Sequence, residues 1–196
     1  MLPGLFSPIL DTVTVAPPGS TPNLDRWLSS AAVRTQHRRM GAAAPEALWR
    51  EAGAVRLRDC RLLGRVVRAR LGVRDPEITF EALFRTAPFV LLEGGPTWAL
   101  SGLCGRIWST RRELAQLSDP QAFSDWREPG TARVLFAHWV ESLAAGSALH
   151  SEVRVSPVDR RAGRNVQALR PFVSAFQGLI GVECLALAVR RASGET

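Results

Sequence analysis

The stretch TARVLFAHWVESLAAGSALHSEVRVSP, from Thr131 to Pro157, decides the fold. It holds two alternating runs separated by small residues. A four-residue turn over Leu143, Ala144, Ala145 and Gly146 sets Ser142 opposite Ser147. Counting outward then pairs Val140 with Leu149, His138 with Ser151, Phe136 with Val153, and Val134 with Val155. Strand side chains alternate with a period of two, so these eight residues share one face. The other face pairs Glu141 with Ala148, Trp139 with His150, Ala137 with Glu152, and Leu135 with Arg154. It is the more polar face and reads as the wetter one. A slip of one residue would exchange the two faces and bury Glu152 and Arg154. Leu135 and Trp139 need a cover on the wetter face, from an N-terminal arm or from a second subunit, so a homodimer is one expectation.

The apolar face carries one polar cross-strand pair, His138 and Ser151. A buried imidazole left without a partner costs roughly 1–3 kcal/mol. Two readings follow. In one, His138 is a core histidine satisfied by Ser151, a backbone carbonyl or water. In the other, it is a polar anchor in an otherwise apolar cavity, the usual makeup of a small-molecule pocket.

Upstream, VRTQHRRMGA (33–42) alternates as a strand, and Pro45 and Glu46 suit the first turn of a helix. VRLRDCRLLGRVVRARLG (55–72) spaces Leu62, Leu63, Val66, Val67 and Leu71 as an apolar helical stripe, with an arginine face read as solvated and a stop near Gly72. TFEALFRTA (79–87) is a further short helical pattern. FVLLEGGPTWALSGLCGRIW (89–108) reads as a second hairpin, with Gly102 and Gly105 marking bends or close backbone approach. DPQAFSDWREPGT reads as a loop. From Asp159, a plausible N-cap, to Arg191, the apolar residues Val166, Leu169, Phe172, Phe176, Ile180, Cys184 and Leu187 fall at helical spacing, with a kink or break expected at Pro171. Residues 1–32 read as an arm, with LDRWLSS adding a short helical turn. Strands grouped together beside one long C-terminal helix argue an α+β fold over residues 33–192.

Composition bounds the function. The 196 residues suit one domain, and 46% are hydrophobic, so the body of the chain should bury a core. The net charge is +7, but all 25 basic residues are arginine and they are spread along the chain. No nucleic-acid motif accompanies them, so no nucleic-acid partner is expected. No apolar run in the sequence approaches a membrane span, and stable membrane insertion is not expected. The N-terminus lacks the charged region and cleavage site of a signal peptide, which makes a cytoplasmic location the default. Cys60, Cys104 and Cys184 are far apart, with no metal-ligand spacing, and read as three reduced, mostly buried thiols. No phosphate-binding loop, dinucleotide fingerprint, zinc motif or nucleophile elbow occurs, so no cofactor and no metal are called for. Arg58–Asp59, Glu93 and Ser101 are further candidates for a site; the charged groups among them read as solvated or turn-flanking.

The segment GAAAPEALWREAG (41–53), through Ala43, Ala44, Pro45, Glu46, Leu48 and Trp49, resembles the signature after the first strand of the START-like (SRPBCC) superfamily, which includes polyketide cyclase/dehydrase and lipid-transfer domains. The hairpin and the long final helix fit that family's order of elements, and the chain is similar to uncharacterised actinobacterial members. The resemblance implies a helix-grip fold, a curved antiparallel sheet wrapped around the C-terminal helix with a cavity between them. It implies lining residues Phe136, Val140, Ser151 and Val153 from the hairpin and Phe172, Phe176 and Ile180 from the helix, beside His138. The expected partner is a hydrophobic small molecule, lipid or polyketide-like. No catalytic constellation carries over. Three functions follow: a binder or carrier, a cyclase- or dehydratase-like enzyme with His138 as general acid/base, or an interaction protein with a filled core.

Overall fold

A computed structural model describes residues 21–111 and 113–194. Five strands form one open antiparallel sheet: β1 (Val33–Gly41), β2 (Val90–Gly95), β3 (Trp98–Gly105), β4 (Ala132–Ser142) and β5 (Ser147–Pro157), in the order β1-β5-β4-β3-β2. The β4–β5 register is the one read from the sequence, with His138 opposite Ser151 and Val140 opposite Leu149.

One face of the sheet, here the inner face, carries a helical layer. It contains α2 (Pro45–Ala54), α3 (Arg61–Leu71), α4 (Phe80–Leu83) and the C-terminal helix. Pro45 opens α2 as its pre-set φ allows. Gly72, at φ 73°, stops α3 in the left-handed conformation. Thr79 caps α4 by accepting from the Ala82 N–H at 3.2 Å. The C-terminal helix runs from Arg160 to Ala192: α6 (Arg160–Leu179), a π-helical stretch (Ile180–Leu185) and α7 (Ala186–Ala192). Asp159 caps it through the Ala162 N–H at 2.8 Å. By length and composition it is the one helix among the described residues able to cross a membrane, yet here it lies on the sheet with Val166, Val173, Ile180 and Leu185 buried.

Three expectations are corrected. First, α6 passes through Pro171 without ending; the irregularity lies further on, at Ile180–Leu185. Pro171 is exposed, so the carbonyl it leaves unpaired can be hydrated. Second, the outer face is not wet. Leu135, Ala137 and Trp139 join Leu92, Trp98, Leu100, Cys104 and Phe123 in a second apolar cluster. Its cover comes from this same chain: Leu24 and Leu28 on α1 and its flank (α1, Asp25–Leu28), and Phe123 on α5 (Pro120–Ser124) inside the stretch read as a loop. A second subunit is not needed as cover. Residues 1–20 of the expected arm lie outside the described residues. Third, Cys60 and Cys184 are joined in a disulfide, with Cα atoms 6.1 Å apart, and Cys104 alone is a thiol. The pairing spans 124 residues; it follows from the packing of α3 against the π-helical stretch, which sequence spacing does not reveal.

The two glycines of β3 behave as read. A Cβ on Gly102 would meet the Phe123 ring at 2.5 Å, and Gly105, at φ 138°, ends the strand against the Glu113 backbone.

Candidate ligand cavities

The inner face and the helices border two neighbouring, partly open cavities. The first, about 120 Å³, lies between β4/β5 and the helices α3 and α6. Phe136 and Val153 line it from the hairpin, and Phe172, Phe176 and Ile180 from the C-terminal helix. Leu63, Val67 and Leu103 continue an almost wholly apolar wall; the polar exceptions are Arg70 and Ser109. The Arg70 guanidinium sits 5.7 Å over the half-exposed Phe172 ring.

The second cavity, about 290 Å³, lies beside it toward α2 and α4. His138 lines this one, together with Trp49, Thr79, Ser101, Leu149 and Cys184. Arg50, Glu81 and Arg85 add charge to its lining. Phe80 and Phe84 line both cavities. Their rings stand 4.8 Å apart, each also packs on the His138 imidazole, at 5.0 and 4.7 Å, and Phe84 reaches Phe136 at 5.3 Å. An aromatic wall thus divides the space expected from the sequence to be one pocket.

The eight expected lining residues accordingly separate. Phe136, Val153, Phe172, Phe176 and Ile180 share the first cavity, and His138 faces the second. Val140 is plain core. Ser151 is fully buried and lines neither cavity. It is held by Gln177, whose Nε2 donates to the Ser151 hydroxyl at 2.9 Å and to its carbonyl at 2.8 Å. No hydrogen bond joins Ser151 to His138, and the His138 Nε2 has no hydrogen-bond partner among the described residues. Burial among apolar groups pushes the imidazole pKa down to about 3, because the charged form would be desolvated without compensation. His138 is neutral at physiological pH.

The other candidate residues are structural. Arg58 pairs with Glu77 at 2.6 Å, and Asp59 receives Arg191 at 2.8 Å, tying the start of α3 to α7. Glu93 accepts the Trp27 indole N–H at 3.0 Å. Ser101 is buried and lines the second cavity, on the strand next to the one that carries His138. Burial pushes the Cys104 thiol up to about 12, so it is inert. Among the described residues no cluster of three metal-ligating side chains occurs.

No family model matches the sequence, and no curated protein matches it. Solved structures similar to the chain include the protein MLL2253 from Mesorhizobium loti, at 13% identity and a TM-score of 0.35, covering 80% of this chain and 97% of that one. The protein TTHA0849 from Thermus thermophilus is similar at 11% identity and a TM-score of 0.31, covering 82% and 96%.

Sequence reasoning missed the residues that shape the cavities from the helical layer. Phe80 and Phe84 stand four apart in a recognised helical pattern, the spacing that puts two rings on one face. Gln177 interrupts the apolar stripe between Val173 and Ile180, which marks a buried polar group in need of a partner.

Proposed function

We propose that this protein binds or carries a hydrophobic small molecule, lipid or polyketide-like, in a START-like, helix-grip arrangement of sheet and C-terminal helix. The observation that carries the reading is the first cavity: a half-open space between sheet and long helix whose wall is apolar apart from Arg70 and Ser109. The neighbouring cavity adds one neutral imidazole able to hydrogen-bond a ligand's polar group. Ligand pockets combine these features, a largely apolar wall with few placed polar groups. A filled-core interaction protein would have no use for two adjoining voids. The cyclase-like reading is weaker, since an imidazole titrating near 3 holds its proton poorly at neutral pH.

Native mass spectrometry of the purified protein, with titration of a fluorescent apolar probe, tests the proposal. A copurifying apolar molecule, or saturable probe binding that Val153→Trp abolishes by filling the first cavity, is the expected result. A melting curve of Val153→Trp separates a filled cavity from an unfolded chain. Absence of both the molecule and saturable binding in the folded wild-type protein would reject it.

A further inference from the structure

The positive charge of this chain is not spread over its surface in the way its sequence implies. Helices α3 and α6 carry eight of the 25 arginines and no acidic residue. The remaining 17 arginines stand against 18 acidic residues, so the rest of the chain is close to neutral. The net +7 thus arises on two helices that pack side by side. Arg61, Arg65 and Arg68 on α3, and Arg161, Arg164 and Arg170 on α6, are exposed and make no ion pair among the described residues. Elsewhere ten arginines form ion pairs among the described residues, including Arg56 and Arg58 with Glu77, Arg85 with Glu81, and Arg191 with Asp59.

Two of the four exposed large apolar side chains among the described residues lie on the same helices, Leu62 on α3 and Phe172 on α6. Phe172 also borders the first cavity, which these helices wall on one side.

We propose that the outer faces of α3 and α6 form a docking surface for a bilayer containing anionic phospholipid, with the border of the first cavity turned toward the lipid. Guanidinium groups bind phosphate in a bidentate fork, and a juxtaposed field of them is drawn to an anionic leaflet. Phe172 and Leu62 supply the apolar groups that an interfacial helix face buries at the headgroup boundary. A nucleic-acid duplex would satisfy the arginines but not these two side chains, which favours a bilayer. The charge segregation stands whether or not the cavity holds a ligand, so this proposal does not depend on the binding function.

Co-sedimentation of the full chain with extruded vesicles tests it. Binding is expected to vesicles of phosphatidylcholine mixed with phosphatidylglycerol, not to phosphatidylcholine alone, and should weaken steeply as salt shortens the electrostatic range. Replacing Arg65, Arg68 and Arg164 by Ala should cost about five-fold in affinity for each arginine removed. Phe172→Ser should weaken vesicle binding while leaving any binding to duplex DNA unchanged. Arg26→Glu with Arg127→Glu, on the opposite layer, should leave vesicle binding as it was; melting curves confirm that each variant is folded. Failure of the wild-type protein to bind the mixed vesicles would overturn the proposal. So would an equal loss in the opposite-layer variant, or full competition by duplex DNA together with indifference to Phe172→Ser, which would mark a general polyanion surface.

Discussion

The two faces of the sheet are built from the same hairpin yet solve burial differently. The inner face is the more apolar in sequence, but it borders voids: Phe136 and Val153 line one cavity and His138 another. The outer face contains a glutamate, an arginine and a histidine, yet it is closed. Phe123 and Leu135 are fully buried there, and Glu152 and Arg154 are almost so. Arg154 is held by three hydrogen bonds: it donates to Glu152 at 2.6 Å, to the Leu28 carbonyl at 2.9 Å, and to Asp25. Burial alone would lower its pKa, but the hydrogen bonds and charges of Asp25 and Glu152 outweigh this and raise it. The Arg154 hydrogen bond and charge hold the Asp25 carboxyl below its ordinary value. Apolar composition therefore does not identify the packed side. Charges can lie in a closed layer when they are paired and hydrogen-bonded, and an apolar wall can be left unfilled.

The strongest way to break this contrast is to remove one ring from each face. Phe123→Ala should cost about 3–5 kcal/mol in denaturant unfolding, the penalty for emptying a filled core site. Phe136→Ala should cost clearly less, because its ring already borders a void. Equal losses would mean that the inner face is as tightly packed as the outer. A second cut is Arg154→Ala, which strands part of the Glu152 charge; a loss of about 3 kcal/mol is expected, moderated by Arg34, which also reaches Glu152 at 2.8 Å. If Arg154→Ala is as stable as the wild type by the same assay, the outer network is not what closes that face.

Acid sharpens the comparison from the inner side. The unfolded chain protonates His138 near pH 6.5, while the folded chain resists until about 3. The unfolded state then binds more protons throughout that window, so stability falls as pH drops from 6.5 toward 3. The slope from this one group is about 1.4 kcal/mol per pH unit, or about 2 kcal/mol lost by pH 5. Urea melts of wild type and His138→Phe from pH 7 to pH 5 should show that contribution in the first and not in the second. Parallel pH dependence in both would mean that water or a ligand group already satisfies the imidazole in its charged form.

How much of this could be read beforehand depended on the range of the interactions. The β4–β5 register was legible because alternation and a short turn are local, and both agreed. The closed outer face was legible only in part, as a need for cover over Leu135 and Trp139, of which the N-terminal arm was one expected source. Its cover comes from Leu24, about 110 residues before Leu135, and from Phe123 in a polar stretch whose Asp119–Pro120 start is itself a helix signal. The pairing of His138 with Ser151 was right in register, but of the partners it left open Ser151 is not one in the fold: its hydroxyl accepts from Gln177 on a distant helix, and no hydrogen bond joins it to the imidazole. The division of the pocket depends on where α4 places Phe80 and Phe84, a matter of packing angle rather than pattern. The disulfide was hidden for the same reason.

The sheet is open, so it ends in two rims, β1 and β2, each with backbone groups turned away from any partner strand. Such rims are templates onto which another chain can add, and runaway addition is how sheets aggregate. The first rim is guarded by charge: Arg34, Arg38 and Arg39 stand along β1, held to Glu152, Glu141 and the Gly181 carbonyl. The second is guarded by geometry, since the register of β2 shifts between Leu91 and Glu93 and offers an incoming strand no continuous ladder. A molecule that leaves its interior partly vacant thus keeps its edges unwelcoming to a further strand.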